Sequence, residues 1–254
     1  RMAFVSQGSQ SLSRLFAFGC SFTHYRWSTW ADILAVHYDE YQNWGQSGGG
    51  NHFIFNSVME ADQRHTFRAG DTVIVCWTNV MREDRYTWNW QTHGNITTCK
   101  FYNNEYVRKY VTERGNLVRD MAFIKSTQSF LQNIPGIKYE FLSMCPLIYP
   151  DQYNPNRVSE DTDIPTLYES VLNNIKPSYY ETVLAEDRNN GWKLHNWDTG
   201  LKDPHPTPVE HLDYLDCVLP GWVTNSDIRV KVVEETADPD IIHKFLKRPE
   251  ITRL

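Results

Sequence analysis

The sequence predicts an α/β fold with a mainly parallel sheet of about five strands. Short apolar runs alternate with segments of helical period, which is the order of strand–helix–strand units. The run 72–77 is rich in β-branched residues and has no polar alternation, so it predicts a central strand buried on both faces. A second apolar run, 15–18, stops abruptly at Gly19-Cys20-Ser21. It predicts a buried strand that delivers a serine to a turn.

The other elements follow from periodicity and from the residues that begin and end them. Thr29 with Asp32, and Thr207-Pro208 with Glu210, have the pattern of helix N-termini closed by a capping box. The remaining strands are predicted at 41–44 and 138–144, with a short fifth strand at 192–197. Helices are predicted near 30–37, 52–61, 123–134, 167–175 and 208–219.

We expect one globular domain over 14–220, after a polar arm at 1–13. Two insertions are expected within it, at about 84–120 and at 146–164. The first is crowded with aromatic residues between 84 and 110, without a clean period, and it predicts a long loop. The extension 221–254 is expected to add an edge strand, from the alternation of Ile228, Val230 and Val232, and a short helix at 241–246.

Composition excludes several classes of protein. The 254 residues have a formal net charge of -6 and no basic block, which argues against a nucleic-acid partner. The apolar runs are too short to cross a membrane, and no signal-peptide pattern is seen, so we expect a soluble protein of the cytoplasm or a virion. Five scattered cysteines indicate reduced thiols, and no histidine or cysteine spacing predicts a metal or another cofactor.

Ser21 and His205 are the first candidates for chemistry. The carboxyl ends of parallel strands face the ligand crevice, so Ser21 is expected to be exposed to substrate there. His205 stands in the loop just before the helix that begins at Thr207, a position suited to projecting into a cleft. Each residue taken alone is more typical of an ordinary turn. The glycine cluster 45–50 is equally consistent with a loop of backbone N–H donors and with a flexible turn.

Four motifs occur in order along the chain, and together they resemble the blocks of the SGNH (GDSL-like) hydrolase family. The resemblance spans residues 15 to about 219. The motifs are Gly19-Cys20-Ser21, Asn43-Trp44-Gly45-Gln46-Ser47-Gly48, Trp77-Thr78-Asn79 and Asp203-Pro204-His205. The forms Trp-Thr-x-x-x-Arg and Asp-x-His-Pro look similar to divergent, phage-encoded members of the family.

This resemblance implies a three-layer α/β/α sandwich with flavodoxin-like strand order. It implies Ser21 as the nucleophile, with His205 as its base and Asp203 as the residue that orients the histidine. The oxyanion hole would consist of the backbone N–H groups of Ser21 and Gly48 and the side-chain amide of Asn79. The family needs no cofactor for this chemistry.

The sequence departs from the family pattern in three places. Cys20 replaces the usual acid beside the serine, and we expect its side chain to point into the packing, since adjacent strand residues point to opposite sides. The third block lacks its glycine and its trailing aspartate. Asp203 precedes His205 by two residues instead of three, so either Asp203 or a backbone carbonyl orients the ring.

Two functions remain open from the sequence. The first is an ester hydrolase acting on a small-molecule or glycan ester, with Trp77, Arg82 and Trp88 as candidate substrate-binding residues. The aromatic stretch 86–106 is then either a sugar-stacking wall or an insertion packed onto the domain. The second is a binding or structural module, such as a virion component, in which Ser21 Oγ would lie far from His205. The sequence predicts no oligomeric state.

Overall fold

The computed structural model describes residues 12–97, 99–148, 163–184, 195–196, 202–203, 205–238, 251 and 253. Its main sheet has four parallel strands in the order β2-β1-β3-β6. These strands are β1 (Arg14–Phe18), β2 (Glu40–Asn43), β3 (Thr72–Trp77) and β6 (Lys138–Ser143). Strand β1 therefore lies between β2 and β3. This is the flavodoxin-like arrangement that the resemblance implies.

The helices and the smaller strands complete the described chain. The α-helices are α1 (Trp30–Ala35), α2 (Asn51–His65), α3 (Asn104–Tyr110), α4 (Glu113–Gln132), α5 (Asp163–Leu167), α6 (Glu169–Leu172), α7 (Pro208–Val218) and α8 (Ser226–Ala237). The minor strands are β4 (Arg82–Tyr86), β5 (Trp90–Asn95), β7 (His195–Asn196) and β8 (Lys202–Asp203).

The prediction of a fifth strand in the main sheet is wrong for the described residues. Beside β6 there is only a single parallel bridge, between Phe141 and Ile175, closed by the Lys176 N–H donating to the Phe141 carbonyl at 2.8 Å. The segment predicted as the fifth strand contains β7, which pairs antiparallel with β8 in a separate two-stranded sheet. Its tryptophans at 192 and 197 lie outside the described residues.

Two hydrophobic clusters, one on each face of the sheet, make the three layers. Strand β1 sends Leu15 and Ala17 to one face and Phe16 and Phe18 to the other, as the twofold period of a strand requires. Helices α1, α7 and α8 cover the first face, and α2 and α4 cover the second. The predicted α/β fold with a parallel sheet between helices is therefore confirmed.

Both predicted capping boxes are present. The Thr29 N–H donates to Asp32 Oδ2 at 2.8 Å at the start of α1. At the start of α7, the Thr207 N–H donates to Glu210 Oε2 at 2.8 Å, and Thr207 Oγ1 accepts from the Glu210 N–H at 3.3 Å. The second box fixes the end of the loop that carries His205.

Two predictions of local structure are wrong. The aromatic-rich stretch expected to be a loop forms the antiparallel hairpin β4–β5, followed by α3. Most residues of its strands are half-buried, and the two buried ones, Glu83 and Asp84, are charged, so the strands lack the apolar alternation by which strands are found. The expected edge strand is helix α8, because Ile228 and Val232, four residues apart, are buried on one helical face while Val230 is exposed.

Other predictions fall on residues that the structure does not describe. These are most of the polar arm, most of the insertion at 146–164, and the short helix at 241–246. Among the helices in the described part of the chain, none combines the length and the apolar character needed to cross a membrane.

Replacing Thr207 by alanine tests the cap that follows His205. The substitution removes the acceptor for the Glu210 N–H, and loss of such a cap typically lowers the free energy of unfolding by about 1 kcal/mol. Urea denaturation measures this change. The exposed Ser226→Ala variant, at the first turn of α8, serves as the control and should change stability by only a few tenths of a kcal/mol. Equal effects of the two substitutions would mean that the Thr207 cap contributes nothing.

Candidate active site

Ser21 lies in a tight turn directly after β1. The N–H groups of Thr23 and His24 both donate to the Cys20 carbonyl, at 2.9 and 3.1 Å, and this closes the turn around the serine. A Cβ atom on Gly19 would lie 2.0 Å from Thr23 Oγ1, so only glycine fits where the strand becomes the turn. Ser21 lies at the carboxyl edge of the sheet, as predicted, but it is only 4% exposed, whereas the prediction was that it would be exposed to substrate.

His205 is held by contacts to the residues that follow it and to its ring. On the C-terminal side, the capping box at Thr207 fixes the start of α7. Next to the histidine, Trp27 Nε1–H donates to the Pro206 carbonyl at 2.7 Å. The ring also meets Phe22 edge-on, with the ring centroids 5.9 Å apart. The imidazole therefore has a fixed place beside the Ser21 turn.

The structure brings Ser21, His205 and Asp203 into one chain of contacts. His205 Nε2 lies 2.9 Å from Ser21 Oγ, and His205 Nδ1 lies 2.7 Å from Asp203 Oδ1. The same carboxylate oxygen accepts the backbone N–H of His205 at 3.0 Å. An aspartate that accepts the N–H two residues ahead forms an Asx turn. This turn explains how the shortened Asp-x-His spacing still places the carboxylate against the ring.

The protonation states follow from the surroundings of each group. Burial raises the pKa of Asp203, but the hydrogen bonds from the His205 N–H, the Tyr25 hydroxyl and the His205 ring outweigh it, and the net shift is downward. Asp203 is therefore ionised and can only accept, so His205 carries its proton on Nδ1. Nε2 is then the acceptor for the Ser21 hydroxyl.

The pKa of His205 lies below its ordinary value of 6.5. Burial of the ring is the main cause, because it disfavours the imidazolium. Asp203 opposes the shift, whereas the positive charges of Arg82 and Arg26 add to it. At neutral pH the ring is neutral, which is the form able to accept a proton from Ser21.

Sequence reasoning missed two residues that complete the surroundings of Asp203. The Tyr25 hydroxyl donates to Asp203 Oδ2 at 2.7 Å, and the Tyr25 ring stacks on His205 with 3.9 Å between the centroids. Arg26 makes an ion pair with the same oxygen at 3.4 Å. The signal available in the sequence was an aromatic and basic cluster shortly after Ser21, but nothing in it indicated a partner 178 residues away.

Gly48 lies in the loop after β2, at the same edge of the sheet as Ser21. Its φ of +75° and the 2.5 Å that would separate a Cβ atom from the Thr92 carbonyl oxygen require glycine. The loop contacts the turn before the serine directly, since the Gln46 N–H donates to the Gly19 carbonyl at 3.1 Å. It also contacts the β4–β5 hairpin, where the Gly94 N–H donates to the Gly48 carbonyl at 3.0 Å.

Asn79 follows β3 at this edge of the sheet. Its Oδ1 accepts the Met81 N–H at 2.6 Å, which fixes the plane of the amide and assigns its donor group to Nδ2. The preceding residue is fastened to the first residue of α2. The Thr78 N–H donates to Asn51 Oδ1 at 2.8 Å, and Asn51 Nδ2 donates to the Thr78 carbonyl at 2.9 Å. The loops that carry Gly48 and Asn79 therefore belong to one connected edge.

Two residues at this edge point into the interior. Cys20 is fully buried with its Sγ 3.8 Å from Met144 Sδ, as expected for a side chain opposite to Ser21. Trp77 is 0% exposed and packs edge-on against Phe141, with 5.6 Å between the centroids. The expectation that Trp77 binds substrate is therefore wrong, because its position within β3 directs the indole into the core.

The other two candidate substrate-binding residues lie on the hairpin side. Arg82 Nη1 donates to the Gly49 carbonyl at 2.8 Å, and the charge of Arg82 acts on His205. Arg82 is thus tied to the glycine loop while facing the site. Trp88, in the turn between β4 and β5, is 95% exposed. Its role in binding remains a prediction.

With this geometry established, the chain can be compared with known proteins. In fold, it is similar to lipolytic and ester hydrolases. One is a member of the lipolytic protein G-D-S-L family from Veillonella parvula DSM 2008 (14% identity over 81% of this chain and 96% of that one, TM-score 0.39). Another is the psychrotrophic esterase EstA from Pseudoalteromonas sp., in a structure inhibited by monoethylphosphonate (13% identity over 84% of this chain and 100% of that one, TM-score 0.43).

A third similar structure is LAE5, an α/β hydrolase enzyme from the metagenome of Lake Arreo, Spain (12% identity, 84% of this chain and 97% of that one, TM-score 0.42). No family model matches the chain, and no curated protein matches its sequence. The likeness concerns the fold alone, so the function proposed below depends on the side-chain geometry.

In the part of the chain that the structure describes, no cluster of three or more histidine, cysteine, aspartate or glutamate side chains could hold a metal ion. The five cysteines are all free thiols.

Replacing Arg82 by glutamine should raise the pKa of His205. The positive charge of Arg82 disfavours the imidazolium, so its removal lets the ring take up a proton at higher pH. An NMR titration of the His205 ring protons measures the shift. Arg85→Gln, on the same strand but paired with Glu83, is the matched control and should leave His205 unchanged. A His205 pKa that stays the same in Arg82→Gln would show that the guanidinium does not act on the site.

Proposed function

We propose that this protein is a serine ester hydrolase that works through an acyl-enzyme. The observation that supports the proposal most directly is the continuous contact from Ser21 Oγ through His205 to Asp203. A serine hydroxyl is a weak nucleophile until a base takes its proton, and the base acts only in the correct tautomer. Both requirements are met by neighbouring atoms in this site.

The proposed reaction has two halves. Ser21 Oγ attacks the carbonyl carbon of the ester while His205 Nε2 takes the hydroxyl proton. The tetrahedral intermediate collapses, the carbon–oxygen bond to the leaving group breaks, and His205 returns the proton to the departing alcohol. A water molecule then attacks the acyl carbon while His205 Nε2 takes its proton. The bond between that carbon and Ser21 Oγ breaks, His205 returns the proton to Ser21 Oγ, and the carboxylic acid leaves. Asp203 stabilises the imidazolium that forms in each half.

The negative charge on the substrate carbonyl oxygen needs donors. We propose the N–H groups of Ser21 and Gly48 and the Nδ2 amide of Asn79 for this role. In support, these residues follow β1, β2 and β3 at a single edge of the sheet. The hydrogen bonds between the Gly48 loop and the Ser21 turn make that edge rigid, and donors fixed in advance stabilise a transition state best.

For the substrate we propose an O-acylated carbohydrate. Support comes from the hairpin that is fastened to the glycine loop, because it carries exposed aromatic side chains, Trp88 at 95% and Tyr86 at 51%. Such rings offer flat apolar faces with a polar edge, which suits the faces of a sugar ring. Arg82, tied to the loop beside the hairpin, adds a donor for hydroxyl or carboxyl oxygens.

The alternative, a binding module without turnover, made a different geometric prediction. It requires Ser21 Oγ and His205 to lie apart, whereas they are 2.9 Å from each other. The contact favours the hydrolase.

The proposed function is tested with a fluorophosphonate, which reacts covalently with activated serines. The protein should incorporate one equivalent, located at Ser21 by peptide mass spectrometry, and Ser21→Ala should incorporate none. His205→Ala should react far more slowly, because it lacks the base. An intact, folded protein that fails to react, or that reacts elsewhere with equal ease, would contradict the proposal.

Replacing Asp203 by asparagine should lower kcat by roughly 10⁴-fold, as in serine-protease triads, because an amide that donates to Nδ1 favours the wrong tautomer.

Tyr25→Phe keeps the ring stack on His205 and removes only the hydroxyl, so it should lower kcat by about tenfold. Steady-state kinetics on a chromogenic ester measure both. A nearly normal kcat for Asp203→Asn beside an inactive His205→Ala would mean that the site is a Ser21–His205 dyad.

Asn79→Ala should reduce kcat far more than it raises KM. Removing one donor from an oxyanion hole typically lowers kcat by roughly 100- to 1,000-fold, since the hydrogen bond is strongest in the transition state. Asn95→Ala, in the hairpin, provides a control for loss of an amide near the site. Asn79→Ala with an unchanged kcat would exclude the amide from the hole.

A further inference from the structure

Arg253 contacts the glycine loop from a distant part of the chain. Its Nη1 donates to Gln46 Oε1 at 2.9 Å, and its Nη2 donates to the Gly45 carbonyl at 3.1 Å. The second acceptor is the carbonyl of the peptide unit that joins Gly45 to Gln46, and the first is on the side chain of Gln46. A planar guanidinium can hold both in one fixed geometry.

The guanidinium is half-buried at this position, against aromatic rings. Its carbon lies 4.9 Å from the centroid of Phe53 and 5.6 Å from that of Trp44, both in the core. Burial lowers the pKa of Arg253 to about 10, and the charge of Glu60 offsets this only in part. A buried cation is costly unless its contacts compensate, so the two hydrogen bonds and the ring contacts are central to its stability here.

The peptide unit that Arg253 holds is also the link between the loop and the serine turn. Its N–H, that of Gln46, donates to the Gly19 carbonyl at 3.1 Å, two residues before Ser21. A cation that is bound to the carbonyl of a peptide unit polarises the N–H of the same unit. The hydrogen bond from Arg253 to the Gly45 carbonyl therefore strengthens the hydrogen bond that the Gln46 N–H donates. Arg253 thus acts on the contact that sets the loop against the turn.

The Gln46 side chain extends this connection to the hairpin. While its Oε1 accepts from Arg253, its Nε2 donates to Thr92 Oγ1 at 2.9 Å. Thr92 Oγ1 in turn donates to the Ser47 carbonyl at 3.0 Å, immediately before Gly48. The loop is therefore fixed at Gly45 and Gln46 by Arg253, and at Ser47 through the hairpin.

We propose that Arg253 is a positioning residue for the oxyanion hole, holding the 45–48 loop so that the Gly48 N–H faces the oxygen of the reacting ester. The proposal rests on the proposed hydrolase function and deepens it. Arg253 touches no reacting atom, and its effect reaches the transition state only through the loop.

The test compares Arg253→Ala and Arg253→Lys with Arg229→Ala. Arg229 is the matched control, since it ion-pairs with Asp216 on the α7–α8 side, away from the loop. Arg253→Ala should lower kcat by about tenfold or more with little change in KM, because a displaced donor weakens only transition-state binding. Arg253→Lys, which cannot hold both acceptors at once, should be intermediate. Added ethylguanidinium should restore part of the activity of Arg253→Ala and none in the control.

One further readout, amide hydrogen exchange, keeps the test decisive. Amide hydrogen exchange should show faster exchange over 45–49 in Arg253→Ala and no change there in Arg229→Ala, whether or not the protein is active. If Arg253→Ala does not fold, the kcat of folded Arg253→Lys decides. Wild-type kcat in Arg253→Lys, or unchanged exchange over 45–49 in a folded variant, would overturn the proposal. Failure of the wild-type protein to label at Ser21 would instead overturn the hydrolase function itself.

Discussion

The carboxylate of Asp203 is the group on which the geometry of the site depends. One of its oxygens accepts both the backbone N–H and the ring Nδ1–H of His205, so it fixes the loop and the imidazole together. The other oxygen is held by Tyr25 and Arg26, from the segment that follows Ser21. Asp203 therefore connects the loop before α7 to the segment that follows β1. Other contacts also hold the His205 loop, but Asp203 is the group that bonds to the ring nitrogen opposite the one that lies 2.9 Å from the serine.

The second constraint is the parallel sheet, which collects distant residues at one edge. Ser21, Gly48 and Asn79 follow three successive neighbours in that sheet, and each lies in a loop held by hydrogen bonds to the next. Glycine is required at Gly19 and at Gly48 because other atoms occupy the space of a side chain. The hairpin β4–β5 contributes to this rigidity, since its Thr92 and Gly94 contact the glycine loop directly. An insertion on the fold thus becomes part of the site's support.

Much of this arrangement could be predicted from the sequence because it depends on local patterns. The strand before Ser21, the cap at Thr207 and the outward and inward orientation of Ser21 and Cys20 all follow from residue type and spacing. The Tyr25–Asp203 and Arg253–Gln46 pairs could not be found in this way, since 178 and 207 residues separate their members. The choice of Trp77 as a substrate-binding residue conflicted with the prediction of a strand at 72–77 that is buried on both faces, and Trp77 is indeed buried.

One departure of the sequence from the family pattern, the spacing of Asp203 and His205, has a physical explanation in the structure. The short Asp-x-His spacing is accommodated by an Asx turn, with the same oxygen serving the backbone and the ring. The central claim is that these groups make Ser21 a nucleophile that carries the acyl group. The most direct measurement is peptide mass spectrometry after rapid acid quenching of a reaction with p-nitrophenyl acetate. The account predicts one acetyl group on Ser21 that is absent from Ser21→Ala, and hydrolysis by the folded protein without any acetyl-Ser21, or acetyl on another residue at the same rate, would contradict it.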